Sequence, residues 1–485
     1  MKKTLRLIAL FLLVSQVLVS CGEGEKPDTT DADTSTDGES TTAVETSILD
    51  SLPERDYGGA EYNILAPIQG FASESKFYAK EMTGENLSDA VYKRNKDIEE
   101  MYNIKFNYDF VNGFSAGMKD VHSKLTGSVL AGDCTYDMFV GSSAYVSSLI
   151  LEGLFADMNS DPNFDFDGAW WHKLGNDSMM INNHLYIASG FYAFVTLSES
   201  WCTLLNKGLV EDLDLESPYT YVYDGTWTFD KMMSMAKTAV LDLNGDAKFD
   251  KNDRYGIIMT DTEATASLSY GMGRLVTEND ENGVPKLTDA TERTLNIMEN
   301  LNTLLENKDH IMFSAQLQPD KELIPMFNNK QALFAMYTLS IVEYQEMREA
   351  PDFGILPLPK YDEKQENYIT QAWPCITAIP ALVRDQDMSS AVLEALNRIT
   401  YLDVYPIYKE IILQRKLTRD NESSEIVDII SSNALCDFGT IFRVDDKLIW
   451  PQDICGKYSS WWASNKEKLT TKLEKIIDTI NQINS

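Results

Sequence analysis

Residues 184–207 read HLYIASGFYAFVTLSESWCTLLNK, and this stretch divides the chain into two unlike halves. Three short apolar runs, HLYIA, FYAFVTL and WCTLL, are rich in aromatic and β-branched residues and are separated by Ser189-Gly190 and by Ser198-Glu199-Ser200. This composition is typical of strands and lacks helical spacing. We interpret the stretch as strands that leave one lobe and begin another, with a ligand held between the lobes. A central hairpin of one large domain is the alternative, but single cores stop growing beyond about 250–300 residues.

Strands and helices alternate on the amino-terminal side of this stretch. EYNILA (61–66), IKFNYDF (104–110) and YDMFVG (136–141) are predicted strands, and a helical pattern follows each of them. The alternation predicts an α/β fold with a doubly wound, parallel sheet. Ligands of such sheets bind beyond the carboxyl ends of the strands. We therefore expect Ser142 and Ser143, which follow the third strand, to contact a ligand.

The carboxyl-terminal part is richer in predicted helices. Residues 289–292 are predicted to form a capping box that opens one helix, and residues 464–467 to cap the last one. Residues 388–402 are also predicted to be helical. QALFAMY (331–337) and FGILPLP (353–359) are predicted strands.

The first 21 residues have the composition of an export signal. A basic start with Lys2, Lys3 and Arg6 precedes an apolar run, LIALFLLVSQVLV, that is too short to be a good membrane span. The run ends in LVSC, which resembles the lipobox of bacterial lipoproteins. That resemblance implies cleavage after residues 1–20 and lipid on the sulfur of Cys21. A plain secretory signal with a chance cysteine is the alternative.

The expected location follows from this beginning. Residues 21–55 are acidic, rich in Ser and Thr and poor in apolar side chains, so we expect a flexible tether. The chain is then exported and held by lipid alone at the outer face of the cytoplasmic membrane, or on the periplasmic side where the envelope has two membranes. We expect it to be a monomer.

The charge balance and the cysteines exclude several partners. With 42 Lys and Arg against 75 Asp and Glu, the net charge is −33, and such a surface repels phosphate backbones, so nucleic acid is excluded. The cysteines other than Cys21 are odd in number and fit no metal motif, so we interpret most of them as buried apolar residues. A bridge between Cys436 and Cys455 stays open.

The sequence favours a binding protein over an enzyme. Its 4 histidines form no zinc-ligand pattern, and it has neither a GxSxG elbow nor a phosphate-binding loop. Tryptophans near predicted element ends are suitable for stacking on the C–H faces of sugar rings. We select the aromatic residues Trp201, Tyr337, Trp373 and Trp461 as candidate ligand-binding residues. Paired carboxylates of a tethered glycoside hydrolase remain the alternative from another class.

Several motifs in order carry a family resemblance. NNHLYIASGF, LLNKGLVEDLDLESP, DGTWTFDKMMSMAK, FNNKQALFAMY and PDFGILPLPKY together resemble the extracellular solute-binding lipoproteins of bacterial ABC importers, especially the carbohydrate-associated group. The resemblance implies a periplasmic-binding-protein-like fold of type II, with two hinge-connected α/β lobes. It places lobe one at residues 56–190 plus 353–400 and lobe two at residues 191–352 plus 401–485.

The same resemblance implies a function. The chain would capture a small polar solute, most simply an oligosaccharide, and deliver it unchanged to the membrane permease of an importer. Leu205 stands where sugar binders of the family often have an aromatic residue, which argues against a maltodextrin-type ligand. An outer-membrane glycan-capturing lipoprotein of the helical-repeat type is the alternative among binding proteins.

Residues 242–253, DLNGDAKFDKND, are predicted to bind a structural calcium ion. A hard cation takes six or seven oxygens, and a twelve-residue loop supplies them at alternating positions. The predicted ligands are Asp242, Asn244, Asp246, the Lys248 carbonyl, Asp250 and Asp253. Ala247 stands where the loop favours Gly, and Asp253 is shorter than the usual Glu. An acidic turn without an ion is the alternative.

Overall fold

Two β-sheets organise the part of the chain that the computed structural model describes, which is residues 48–68, 73–113, 117–314, 318–414 and 421–483. Cys21 and most of the predicted tether lie outside these residues. The strands are β1 Ala60–Ile68, β2 Ile104–Asn112, β3 Met138–Ser142, β4 Trp201–Asn206, β5 Tyr255–Met259, β6 Thr277–Asn279, β7 Pro285–Leu287, β8 Ile311–Phe313, β9 Ala332–Thr338, β10 Phe353–Leu356, β11 Thr370–Gln371, β12 Cys375–Ala378 and β13 Ala434–Leu435.

Helices cover both sheets. The α-helices are α1 Glu74–Phe77, α2 Asn86–Tyr102, α3 Met118–Leu130, α4 Ser147–Leu151, α5 Lys173–Met179, α6 Lys207–Asp212, α7 Pro218–Tyr223, α8 Phe229–Ala239, α9 Thr262–Gly271, α10 Glu292–Glu306, α11 Leu323–Asn328, α12 Gln386–Ile399, α13 Tyr405–Gln414, α14 Asn421–Ser432, α15 Phe438–Ile441, α16 Asp446–Ile449 and α17 Tyr458–Ile483. A π-helical turn, Thr400–Val404, joins α12 to α13.

The first sheet confirms the predicted α/β alternation. Its strand order is β12-β3-β1-β2, and β1 runs parallel to both β2 and β3. The apolar residues of β1 and β3 are buried, which is what helices on both faces of a parallel sheet require. The fourth strand, β12, comes from far along the chain and runs antiparallel to β3, with Cys375 opposite Ser142.

The second sheet has the order β10-β4-β9-β5-β8. Strand β5 is parallel to β8 and β9, whereas β4 runs antiparallel to β9 and β10. Residues 353–356 therefore lie in the second sheet, although the sequence interpretation placed them in lobe one. The close pairing has a local cause, because Gly354 leaves room for the hydroxyl of Tyr219 and for Leu205. The chain returns to the first sheet only at β12.

The helices after β12 also depart from the proposed lobe boundary at residue 400. Helix α13 and the π-helical turn before it pack against α2, which covers the first sheet, although these residues were assigned to lobe two. Helix α14 packs against β10 of the second sheet. The chain therefore passes from the first sheet to the second between α13 and α14. The remaining lobe boundaries stay a proposal.

Only the last of the three runs in residues 184–207 forms a strand. WCTLL lies within β4, while Phe191–Thr196, predicted as a strand, is a 3-10 helix with all of its residues buried. The reason is tertiary: the backbone N–H of Tyr192 donates to Asn397 at 2.9 Å, and the Phe191 ring packs edge-on against Tyr401 and Tyr405. These contacts with α12 and its π-helical extension override the strand preference of aromatic residues.

Two predicted caps are wrong. Thr291, not Asp289, caps α10, because its hydroxyl accepts the N–H of Thr294 at 3.2 Å. Asp289 instead accepts from Trp462 and Lys466, both at 3.0 Å. Helix α17 begins at Tyr458, so Ser464 lies inside it, and its hydroxyl donates to a carbonyl of the preceding turn.

The described cysteines carry free thiols, so Cys436 and Cys455 are not bridged. The Cys455 thiol donates to the Pro451 carbonyl at 3.1 Å, and burial raises its pKa to about 11. These cysteines behave as small buried residues, as expected. Among the described helices, none combines the length and the apolar character that crossing a membrane requires.

Candidate functional site

Two chain segments connect the sheets and meet at one junction. The first crossing segment, residues 188–200, leads into β4, and the second, residues 357–374, leads from β10 to β12. An isolated bridge between Ser200 and Ala372 joins the two segments, and a second one joins Ala188 of the first segment to Thr377 of β12. We define the junction as the residues around these bridges. The carboxyl end of β3 and the start of β12 border it, so ligand-binding residues predicted from different parts of the sequence come together here.

Three of the predicted residues form the first-sheet side of the junction. Ser142 ends β3 and accepts the N–H of Ala144 at 3.3 Å, while the N–H of Ser143 donates to the Pro374 carbonyl at 3.0 Å. Ser143 is fully buried, and its hydroxyl is without a hydrogen-bond partner. Trp373, next to Pro374, is half-buried and stacks on Trp450 with ring centroids 6.2 Å apart. Ser142 and Trp373 are the members of this group that solvent reaches.

Two other predicted residues form the second-sheet side. Trp201 begins β4, and its ring lies 5.9 Å from that of Tyr337 on β9. Both side chains are buried, with 3% of Trp201 and 7% of Tyr337 exposed. Burial raises the pKa of the Tyr337 phenol far above its ordinary value. The structure thus brings the pair to the junction but packs it as core, so direct contact with a ligand stays a prediction.

The remaining predicted residue, Trp461, makes its described ring contact elsewhere. It lies half-buried on α17 and stacks on Tyr458 with ring centroids 6.2 Å apart. Its described ring contacts connect it to none of the other five predicted residues. Trp461 and Trp373 are far apart along the chain, so their relation in space depends on the fold and not on local sequence.

Glu199 is a junction residue that the sequence interpretation treated only as part of the polar separator between two apolar runs. It lies between two buried serines directly before β4, and it is half-buried. Burial and the nearby carboxylate of Glu343 raise its pKa from 4.5 to about 7. Its position in the sequence could have indicated a functional role, because a single acidic residue between apolar runs must either face solvent or belong to a functional site.

Further polar groups extend the junction. Burial raises the pKa of the Glu263 carboxyl, whose charge also affects Tyr337. Gln371 of β11 accepts the hydroxyl of Ser267 at 2.8 Å, while its buried side-chain N–H₂ group lacks a partner. The junction therefore combines aromatic rings, amides, hydroxyls and carboxyls, which is a donor set suited to a polar, hydroxyl-rich ligand.

The loop of residues 242–253 is held by its own backbone. Asp242 accepts the N–H groups of Gly245 at 2.6 Å and Ala247 at 2.8 Å, and buried Asp253 accepts that of Leu243 at 3.0 Å. Ala247 adopts a φ of 62°, the left-handed conformation for which the loop favours glycine.

The remaining predicted ligands follow the same pattern. Asn244 accepts the N–H of Asp246, Asp246 accepts that of Lys248, and Asp250 accepts that of Asn252. In the described part of the chain, no three or more His, Cys, Asp or Glu side chains are arranged to hold a metal. The side-chain geometry thus gives calcium no support, and calcium binding stays a prediction.

Comparison with known proteins places this architecture in a family. The model of the bacterial extracellular solute-binding proteins matches residues 82–383, which is more than half of the chain. No curated protein matches.

Solved structures share the fold at low sequence identity. The sugar-binding protein MalE of Xanthomonas citri is 11% identical with a TM-score of 0.54, over 87% of this chain and 98% of that one. The maltose-binding protein MalE of Listeria monocytogenes is 12% identical with a TM-score of 0.53, over 87% and 97%. The cyclic α-maltosyl-1,6-maltose-binding protein of Arthrobacter globiformis is 11% identical with a TM-score of 0.53, over 88% and 99%. With two sheets joined by crossing segments and a family match across both, this chain belongs to the bacterial extracellular solute-binding proteins.

Proposed function

We propose that this chain is a receptor that captures an oligosaccharide and delivers it, chemically unchanged, to the permease of an ABC importer. The observation that carries the proposal is the junction, where half-buried Glu199 and Trp373 flank the Ser200–Ala372 bridge and half-buried Ser142 pairs with Cys375. Aromatic faces and carboxyl or hydroxyl groups together suit sugar rings and their hydroxyls. The names of the three similar structures, all sugar-binding proteins, support the same ligand class.

Isothermal calorimetry against a panel of oligosaccharides and peptides tests the proposal. We expect heat from at least one oligosaccharide and none from peptides, with the glycan recovered intact by mass spectrometry. Glycan recovered as shorter products would instead support the tethered glycoside hydrolase. Binding of peptides alone would overturn the ligand class while leaving a receptor. A glycan-capturing lipoprotein of the helical-repeat type does not fit, because the described part of the chain contains a four-stranded and a five-stranded sheet.

We further propose that lipid on Cys21 holds the receptor at the membrane, with residues 21–55 as its tether. The support is the LVSC order after a short apolar run. Replacing Cys21 with Ser should abolish incorporation of labelled palmitate and release the folded chain into the medium or periplasm, because one changed atom removes the acylated sulfur. Unchanged membrane association of the Cys21→Ser variant would contradict the anchor. The matched Cys134→Ser variant should remain membrane-bound.

Calcium at residues 242–253 also remains a proposal, supported by the spacing of the acidic residues. An ion there would relieve repulsion between carboxylates of an exposed loop that joins α8 to β5. Removal of calcium with a chelator should then lower the melting temperature by a few degrees and leave solute affinity nearly unchanged. If the melting temperature is unmoved by chelator and by Asp246→Ala, the hydrogen bonds of the loop suffice without an ion.

A further inference from the structure

Glu199 occupies an unusual position for a carboxyl group. It lies at the end of the first crossing segment, and the buried residues Ser200 and Trp201 follow it at the start of the second sheet. Its side chain is half-buried, and its carboxyl makes no hydrogen bond to any described residue. A half-buried carboxylate without a donor is costly in its charged form.

Glu343, the acidic residue whose charge acts on Glu199, forms an ion pair with Lys76. Glu343, the last residue of the 3-10 helix after β9, accepts the hydroxyl of Tyr408 at 2.7 Å and lies 3.8 Å from the ammonium group of Lys76. That ammonium group also sits 4.7 Å from the centre of the Tyr408 ring. Lys76 is therefore positioned by Glu343 and Tyr408.

The elements packed around Glu199 contribute further acids and phenols. The titratable groups whose charges interact with it are Glu343, Tyr337, Tyr344, Cys375 and Tyr408. These groups are a carboxyl, phenols and a thiol, none of which carries a positive charge, so none of them stabilises a carboxylate. Burial and Glu343 accordingly raise the pKa of Glu199 to about 7, so its carboxyl changes protonation state near neutral pH.

We propose that Glu199 makes this junction sensitive to pH: the junction is tightest when the carboxyl is protonated, so capture of an uncharged glycan is coupled to proton uptake. The proposal rests on the function proposed above and adds its regulation. A bound neutral glycan displaces the water that still reaches Glu199, and the charged form then loses more solvation than the neutral form. A protonated carboxyl can also both donate to and accept from sugar hydroxyls.

The sign of the effect follows from linkage. The pKa of Glu199 is raised in the folded chain above its ordinary value of 4.5, so the folded state binds the proton more tightly than the unfolded state. The contribution of this group to stability is therefore full below about pH 4.5 and is lost as the pH rises towards 7. Glycan affinity should fall in the same direction, by at most about tenfold per pH unit for one proton.

Thermal unfolding of the ligand-free chain between pH 4.5 and 8.5 tests the coupling without a ligand. We expect the melting temperature of Glu199→Gln, relative to the wild type, to rise by about 3–5 °C from the acidic to the alkaline end. Replacing exposed Glu54 with Gln should leave the wild-type curve unchanged. Glu343→Gln should move the midpoint of the wild-type effect to lower pH, because it removes a negative neighbour of Glu199.

Calorimetry with maltotetraose, followed by the other glycans of the panel, tests the coupling to capture. Titrations near pH 7 in two buffers of different ionisation enthalpy should show proton uptake by the wild type and almost none by Glu199→Gln. The proposal would be overturned if the melting temperatures of the wild type and Glu199→Gln depended on pH in the same way. It would also be overturned if Glu343→Gln left the midpoint of the wild-type effect unchanged. A complete absence of glycan binding would instead defeat the proposed function, while the ligand-free curves would still decide the role of Glu199.

Discussion

Replacing Asp437 with Ala should lower the free energy of unfolding by about 3–5 kcal/mol, a large fraction of the stability of an ordinary domain. Asp437 is fully buried and precedes α15. Its carboxylate accepts from the hydroxyls of Tyr270, Thr277 and Thr440. It also accepts backbone N–H groups, at 3.2 Å from Val276 and 3.0 Å from Thr277. One carboxylate thus ties together the end of α9, strand β6 and α15.

The large effect follows from the donors that would remain. Without Asp437 these buried hydroxyl and N–H groups would lose their acceptor, and each such loss costs about 1–3 kcal/mol before the structure relaxes. Asp445→Ala is the matched control, because Asp445 also caps a four-residue helix, accepting the Lys447 N–H at 2.9 Å, but in a partly exposed position. We expect that control to cost about 1 kcal/mol. Equal losses in urea unfolding would show that the buried network contributes nothing beyond an ordinary cap.

The second large effect distinguishes core from ligand platform. Trp201→Ala should cost about 3–5 kcal/mol of stability, because only 3% of this side chain is exposed and it packs against Tyr337. Trp373→Ala is the comparison, since Trp373 is half-buried in the second crossing segment and stacks on Trp450. We expect its melting temperature to change little and its glycan affinity to fall about tenfold, the equivalent of about 1.4 kcal/mol.

Thermal unfolding and calorimetry on both variants decide the assignment. The opposite pattern, with a stable Trp201→Ala that fails to bind and an unstable Trp373→Ala that binds normally, would exchange the two roles. Replacing exposed Tyr223 with Ala should change neither quantity, because this aromatic side chain at the end of α7 is 47% exposed.

Local patterns were sufficient for the elements whose sequence and environment agree. Strands β1 and β2 contain the predicted runs 61–66 and 104–110, and β9 differs from its prediction by one residue at each end. Helix α12 and the π-helical turn after it cover the predicted helix 388–402. Continuous apolar runs predict buried strands, and apolar residues at helical spacing predict helices. These local patterns are sufficient when an element buries its apolar face whatever its neighbours are. The order of the family-like motifs likewise indicated the fold class and the solute-binding family correctly.

Predictions failed where a distant segment competes with local preference. Phe191–Thr196 has strand composition, yet contacts with α12 and the π-helical turn hold it as a 3-10 helix. Asp289 has the spacing of a cap, yet Lys466 and Trp462 of the last helix take its carboxylate, and Thr291 caps α10. Neither partner can be read from neighbouring residues, because each lies more than a hundred positions away.

The sequence by itself determined the α/β class, the parallel arrangement of β1, β2 and β3, and the strongly acidic charge balance. Only the tertiary structure decided that β10 joins the second sheet, that Trp461 stacks on Tyr458, and that the charge of Glu343 acts on Glu199. The physical reason is that strand and helix formation depend on the spacing of apolar residues along the chain, whereas pairing, burial and the pKa of a carboxyl depend on groups that folding brings together from distant positions.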